Sequence, residues 1–248
     1  MNENIPLNSE NNSAVEKYNY PNMNFIQRVI GVIFSPGKTM HSLAQKPRIL
    51  FALLLTIITP IVMIISIFPM YKEYSRGILE ATFAKMNNQM TAEQIDLALN
   101  VSKYTAPIAG AIMAVAMWFL GALLLWVIIK IFKGEGSYKQ ILSITGYAAV
   151  ISALAAIATI VTTQIIGVFN EVSFTSLASL LPNMKGNFLY GVAKAIDVFS
   201  IWQYVVIAIG TAIVSKLEKK KVYIIVTCIV AVLLIYAGVM EVRTAALI

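Results

Sequence analysis

The sequence is poor in charge. Asp, Glu, Lys and Arg make up 12% of its 248 residues, about half the share of an ordinary soluble domain, while 58% are hydrophobic and mean hydropathy is +0.77. A water-soluble globule is excluded. With one cysteine, Cys228, and one histidine, His41, the chain cannot supply a disulfide framework or a His/Cys metal cluster. No metal, no cofactor and no catalytic residue is expected. The charges present are mostly positive, 19 Lys+Arg against 12 Asp+Glu, for a formal net charge of +7. A basic balance suits nucleic acid or an anionic membrane surface, and the hydropathy decides for the bilayer and against nucleic acid.

What is present falls into two parts. Residues 1–24 contain eight asparagines, no helical or strand period, and Glu3, Glu10 and Glu16 where a signal peptide would carry an apolar run. They read as a disordered cytoplasmic tail that stays on the chain. From residue 25 to 248 the pattern is that of an all-α polytopic membrane domain, a bundle of five transmembrane helices preceded by amphipathic helices. Phe25, Val29, Ile30 and Ile33 recur at helical spacing. Ser35 then offers an N-cap with Pro36 at the first helical position, opening a second short helix that carries Met40, Leu43 and Ala44 on one side and stops before Pro47. Ser35 and Lys38 share the spacing of a penicillin-binding nucleophile, but the partner motifs are missing, and a helix start explains the segment.

The apolar stretches at about 49–70, 106–131, 141–168, 198–215 and 222–240 each approach the roughly 20 residues needed to cross a bilayer. None holds an ionisable residue away from its ends, whereas ion-coupled transporters place such groups inside the membrane. Lys38, Lys46 and Arg48 precede the first stretch, Lys130, Lys133 and Lys139 follow the second, and Lys216, Lys219, Lys220 and Lys221 separate the fourth from the fifth. On the other side Lys72, Arg76, Lys85 and Lys103 are balanced by Glu73, Glu80, Glu93 and Asp96. The positive-inside rule puts the N-terminus in the cytoplasm and the C-terminus outside a plasma membrane. The two outer loops, 72–105 and 169–197, are long enough to contain helices. Thr91 to Gln94 fits a capping box ahead of Ile95, Leu99 and Ser102, and Phe174, Leu177, Leu180 and Leu181 recur before Pro182 and Gly186.

Within the spans, Ala148, Ala149, Ser152, Ala153, Ala155, Ala156 and Thr159 predict a close-packing surface on a central third helix. Gly110 and Ala114 do the same for the second, and Pro60 predicts a kink in the first. Gln164 and Gln203 lie at similar depth, which predicts an interhelical hydrogen bond worth roughly 0.6–2 kcal/mol.

Three segments together resemble the Yip family of multi-spanning membrane proteins, whose eukaryotic members are named for binding Ypt/Rab GTPases. They are Phe34-Ser35-Pro36-Gly37-Lys38-Thr39-Met40; Gly136-Ser137-Tyr138-Lys139-Gln140-Ile141-Leu142 followed by Gly146-Tyr147; and Asp197-Val198-Phe199-Ser200-Ile201-Trp202 followed by Gly210 and the Lys216–Lys221 turn. The resemblance spans roughly residues 28–240. It implies an integral membrane protein with a cytoplasmic N-terminus and no enzymatic activity, acting in vesicle trafficking in eukaryotes and, for some bacterial members, assisting ABC-type export assemblies. The short Asn-rich tail departs from the eukaryotic pattern.

The expected function is therefore that of an accessory or scaffold protein that contacts the bilayer and another membrane protein, such as an export-complex component, or a second copy of itself. The alternative is a small oligomeric transporter or permease, which a polar cavity across the midplane would favour. The candidate contact residues are Pro36, Gly146, Tyr147, Gln164, Trp202 and Gln203, with the basic loop Lys216, Lys219, Lys220 and Lys221.

Overall fold

A computed structural model describes residues 23–85 and 90–247 of the chain. All but the last two residues of the expected Asn-rich tail lie outside the described residues. The described residues form helices α1 (Phe25–Phe34), α2 (Pro36–Gln45), α3 (Leu50–Ser66), α4 (Phe68–Lys85), α5 (Ala92–Ile131), α6 (Tyr138–Ile166), α7 (Phe188–Ala195), α8 (Val198–Ser215) and α9 (Lys219–Leu247), with two 3-10 turns before α7. Four of them, α5, α6, α8 and α9, are long and apolar enough to cross a membrane, and the bent pair α3–α4 supplies a fifth candidate span.

Local sequence explains where the helices start. Asn24 with Gln27, Thr91 with Gln94, and Ser137 with Gln140 form reciprocal capping boxes at α1, α5 and α6, each satisfying two backbone N–H groups that the first turn leaves unpaired. Asp197 caps α8 by accepting from the Phe199 and Ser200 amides. Pro36 occupies the first turn of α2 as expected, although the Ser35 side chain makes no capping bond. At the far end of α6, Gly167 takes the left-handed conformation (φ 75°) that stops the helix.

Several expected boundaries shift. The first apolar stretch is not one helix to Met70: it breaks at Ile67, where α4 leaves at 81°, while α3 runs through Pro60. The second span's helix begins at Ala92, fourteen residues before the apolar run, and carries Pro107 within it. The third is Tyr138–Ile166, the fourth matches 198–215, and the fifth extends to Lys219–Leu247. In the loop before α8, the Phe174–Leu181 period yields only a 3-10 turn at Leu177–Leu180, and the α-helix lies beyond Gly186 instead.

α6 is central, as expected, packing against α1, α2, α3, α5 and α8. Ile141, Ile144, Tyr147, Ala148 and Ile151 of α6 join Val32, Met40, Leu43, Ile129 and Val206 in one buried cluster. α1 and α2 lie on this bundle. α2 buries Met40 and Leu43, whereas α1 turns Arg28, Gly31 and Val32 inward and leaves Phe25, Ile26, Ile30 and Phe34 exposed. Ile112 and Leu120 on α5, Ile157 and Ile165 on α6, and Val232 and Ile235 on α9 are also exposed, a surface that only lipid or another membrane protein can cover.

Among the described residues one buried side-chain polar atom has no partner, the Thr211 hydroxyl in α8. An orphaned buried hydroxyl carries an uncompensated desolvation cost of about 1–3 kcal/mol. Thr211→Val is therefore expected to raise the melting temperature in detergent, and a clear decrease would show that the hydroxyl is satisfied.

Candidate functional site

Two regions gather the residues singled out from the sequence. The first is the basic end of the bundle, where the turn linking α5 to α6 meets the turn linking α8 to α9. The Glu135 amide donates to the Ser215 carbonyl at 2.8 Å, and Lys216, itself left-handed at φ 53°, pairs with Glu135 at 2.6 Å. Gly136 sits at φ 88° against Val214, so no side chain is tolerated where the two turns touch. Lys219, Lys220 and Lys221 open α9 on the exposed surface beside this contact.

The chain between α2 and α3 is clamped to the first turns of α6. Gln140 Nε2 donates to the Ala44 carbonyl at 2.7 Å, the Arg48 amide donates to Ser143 Oγ at 2.9 Å, and Ser143 Oγ donates back to the Arg48 carbonyl at 3.1 Å. Pro36 lies in the first turn of α2, apart from these contacts. Buried Arg28 donates from Nε to Ser42 Oγ at 3.2 Å and lies by the Tyr147 hydroxyl. Tyr147 is wholly buried, its ring 5.2 Å from that of Phe51, so it is a packing residue and not an interfacial anchor. His41 is half-buried rather than solvated, and burial, followed by the charge of Lys219, pushes its pKa down. Gly146 marks the junction of three helices: a Cβ there would lie 2.4 Å from Ala52 Cβ of α3 and 2.5 Å from the Trp118 ring of α5.

The second region is a cavity of about 780 Å³ lined by α3, α5, α6, α8 and α9. The small residues of α6 explain it. Ala149, Ser152, Ala155, Ala156 and Thr159 line this space together with Ala114 and Pro60, although Ala156 is also buried and Ser152 reaches Gln203 of α8. The space is open on the side between α5 and α9, so it is filled from its surroundings and not left as a void. Its lining includes no acidic, basic or histidine side chain.

The expected Gln164–Gln203 bond does not form. Gln203 Oε1 accepts from Ser152 Oγ at 2.7 Å inside the cavity, while Gln164 Nε2 donates to the Ser66 carbonyl at 2.5 Å, where α3 ends before the bend. Equal depth did not place the two amides on facing sides of their helices. Trp202, next to Gln203, faces outward near the start of α8.

Sequence reasoning missed a third arrangement, at the end opposite the basic turns. Lys194 of α7 pairs with Glu171 and, at 3.7 Å, with Glu241 of α9, and the Tyr74 hydroxyl donates to Glu171 at 2.8 Å. Arg76 pairs with Asp96, joining α4 to α5, and the Thr175 hydroxyl donates to Asp197. No short motif announces these contacts, because their members come from five distant segments. Burial alone would raise the Glu171 carboxyl, but the Lys194 and Tyr74 hydrogen bonds, with the lysine charges, outweigh it and hold the group below its usual 4.5. A depressed carboxylate contributes stability that is fully present above 4.5 and is lost as pH falls through the lower folded value. Melting measured from pH 7 down to pH 3 should fall more steeply for the native chain than for Glu171→Gln; equal slopes would remove Glu171 from the clasp.

Comparison with known proteins adds three findings. The Yip1 domain family matches residues 30–240. The membrane protein YknW of Bacillus subtilis (strain 168) is 24% identical over 209 residues, covering 84% of this chain and 87% of YknW. No solved structure matches.

Proposed function

The chain belongs to the Yip1-domain family, and from that premise we propose that it is a non-enzymatic accessory protein of the plasma membrane, acting through contacts with another membrane protein. The observation that carries this reading is the character of the cavity. A transporter of polar solutes needs a hydrated path lined by polar or charged groups. The large cavity here has predominantly apolar walls and is free of acidic, basic and histidine side chains, which weighs against the permease alternative. The apolar faces of α5 and α9 are broad enough to receive a partner's helices.

In this proposal the basic end, with Lys130, Lys133, Lys139 and Lys216–Lys221, faces the cytoplasm, which puts the N-terminus inside and the C-terminus outside. The partner is an export-complex component or a second copy of the chain. The test is affinity purification of the tagged protein from its native membrane in mild detergent, with mass spectrometry of what remains bound. A stoichiometric membrane partner, or a defined homo-oligomer, is the expected result. Monomeric protein alone, combined with solute flux after reconstitution into liposomes, would overturn the accessory reading.

A further inference from the structure

We infer that the cavity is a binding site for one acyl chain of a membrane amphiphile, admitted from the bilayer between α5 and α9 and met at its polar end by Gln203. The mouth follows from the packing. α9 packs against α8 and α7 and makes no extensive contact with α5 or α3, yet residues of α5 and α9 both line the space. Leu120 and Leu124 on one side and Leu233 on the other are exposed at this gap, so the opening faces lipid and not water.

Length and lining suit an acyl chain. On α6 the lining runs from Thr145 to Thr159, about 21 Å at 1.5 Å per residue. That somewhat exceeds the ~15 Å depth of one leaflet's hydrocarbon. An acyl chain, narrow and flexible, can follow an irregular space of this kind, lined by side chains of five helices. The wall is mostly aliphatic, so water is a poor filler.

The polar atoms give the chain an anchor point. The hydroxyls of Thr56, Thr59, Thr145 and Thr159 donate to carbonyls of their own helices, and Ser152 donates to Gln203 Oε1. Among the described residues, Gln203 Nε2 and the neighbouring Tyr204 hydroxyl are the donors on the lining left without a protein partner. They match a carbonyl or carboxyl oxygen at the head of an acyl chain. Gln203 lies about 8 Å inside the start of α8, about half the depth of one leaflet's hydrocarbon, and its partner Ser152 stands midway along the α6 lining, so the carbonyl end of the chain is drawn in to that depth. This inference does not depend on the accessory reading, since it concerns what fills the cavity and not which protein touches the outside.

The full chain, reconstituted in vesicles of phosphatidylethanolamine and phosphatidylglycerol, is irradiated with one of two probes. These are a phosphatidylglycerol carrying a mid-chain diazirine and a free fatty acid carrying the same group, and adducts are mapped by peptide mass spectrometry. Adducts enriched on residues 149–159 and 203–207 over the outward-facing Ile112 and Ile235 are expected with at least one probe, and the probe that gives them names the source of the chain. Ala155→Phe should abolish the cavity adducts and leave the outward ones unchanged. Gln203→Leu, which nearly preserves the volume, should shift the adducts along the cavity and serves where A155F lowers the yield of folded protein. Equal labelling of cavity and outward residues by both probes, or cavity labelling unchanged in both variants, would overturn the assignment.

Discussion

Gly146→Leu is expected to prevent α3, α5 and α6 from packing together, and Gly146→Ala already to destabilise by roughly 1–3 kcal/mol. A single added Cβ would stand 2.4 Å from Ala52 Cβ and 2.5 Å from Trp118 Cζ2, with a second ring atom, Cε2, at 2.9 Å. Neither neighbour can yield cheaply. Ala52 is a fully buried methyl on the backbone of α3, and the Trp118 indole is held by its donation to Thr145 Oγ1 at 3.1 Å. The control is Gly77 in α4, where an added Cβ meets nothing within 4 Å. Removing a helix-interior glycine there should stabilise by up to ~1 kcal/mol. Thermal unfolding in detergent, followed by tryptophan fluorescence, should order the proteins as Gly77→Ala at or above native, then Gly146→Ala, with Gly146→Leu lowest or not recoverable as folded protein. A Gly146→Leu protein that melts with the native chain would mean that the three helices do not meet at this residue.

Gly146 was legible in the sequence as a residue of interest, but not the reason for it, and the same division runs through the molecule. Span positions follow from hydropathy and length, and Thr91 with Gln94 declares the start of α5, because capping chemistry is local. The break at Ile67 is hidden, since the apolar run continues to Met70 and a window average cannot register a change of direction. The first turns of α5 were legible from the capping box and from Ile95 and Leu99, but their continuity with the membrane span was hidden, because the segment before residue 106 looks polar on average. Small residues on α6 announced that something comes close, yet composition does not say whether it is a neighbouring helix, as at Ala148, or open space, as at Ala155. Gln164 and Gln203 failed as a pair for a related reason: depth follows from counting residues, while azimuth depends on how each helix is rotated by its neighbours.

The second large effect is expected at Gly191, in the short helix that periodicity placed elsewhere. Here the obstacle is main chain. A Cβ on Gly191 would lie 2.6 Å from the Ala237 carbonyl oxygen, 2.9 Å from Gly238 Cα and 2.5 Å from Glu241 Cβ, so α7 and α9 touch backbone to backbone. Gly238 is equally closed from the other side, with the Phe188 ring at 2.6 Å and its carbonyl oxygen at 2.9 Å. Gly191→Leu must therefore lift α7 away from α9. The ionic clasp depends on that seat, because Lys194, on the same helix, reaches both Glu171 and Glu241, and Glu241 also accepts from the Gly186 amide at 3.1 Å. Two consequences separate this variant from general misfolding. Hydrogen exchange of residues 188–195 should rise while that of α6 stays native, since α7 makes no extensive contact with α6. The Glu171 contribution to acid sensitivity should vanish together with α7 docking, so that Lys194→Met added to Gly191→Leu costs less than Lys194→Met alone. Fully additive losses, or exchange that rises uniformly through the bundle, would mean that the clasp and the glycine contact are not one unit. In that case α7 would have to be held to the membrane end of the bundle by its apolar face against Ala178 and Leu181 rather than by α9.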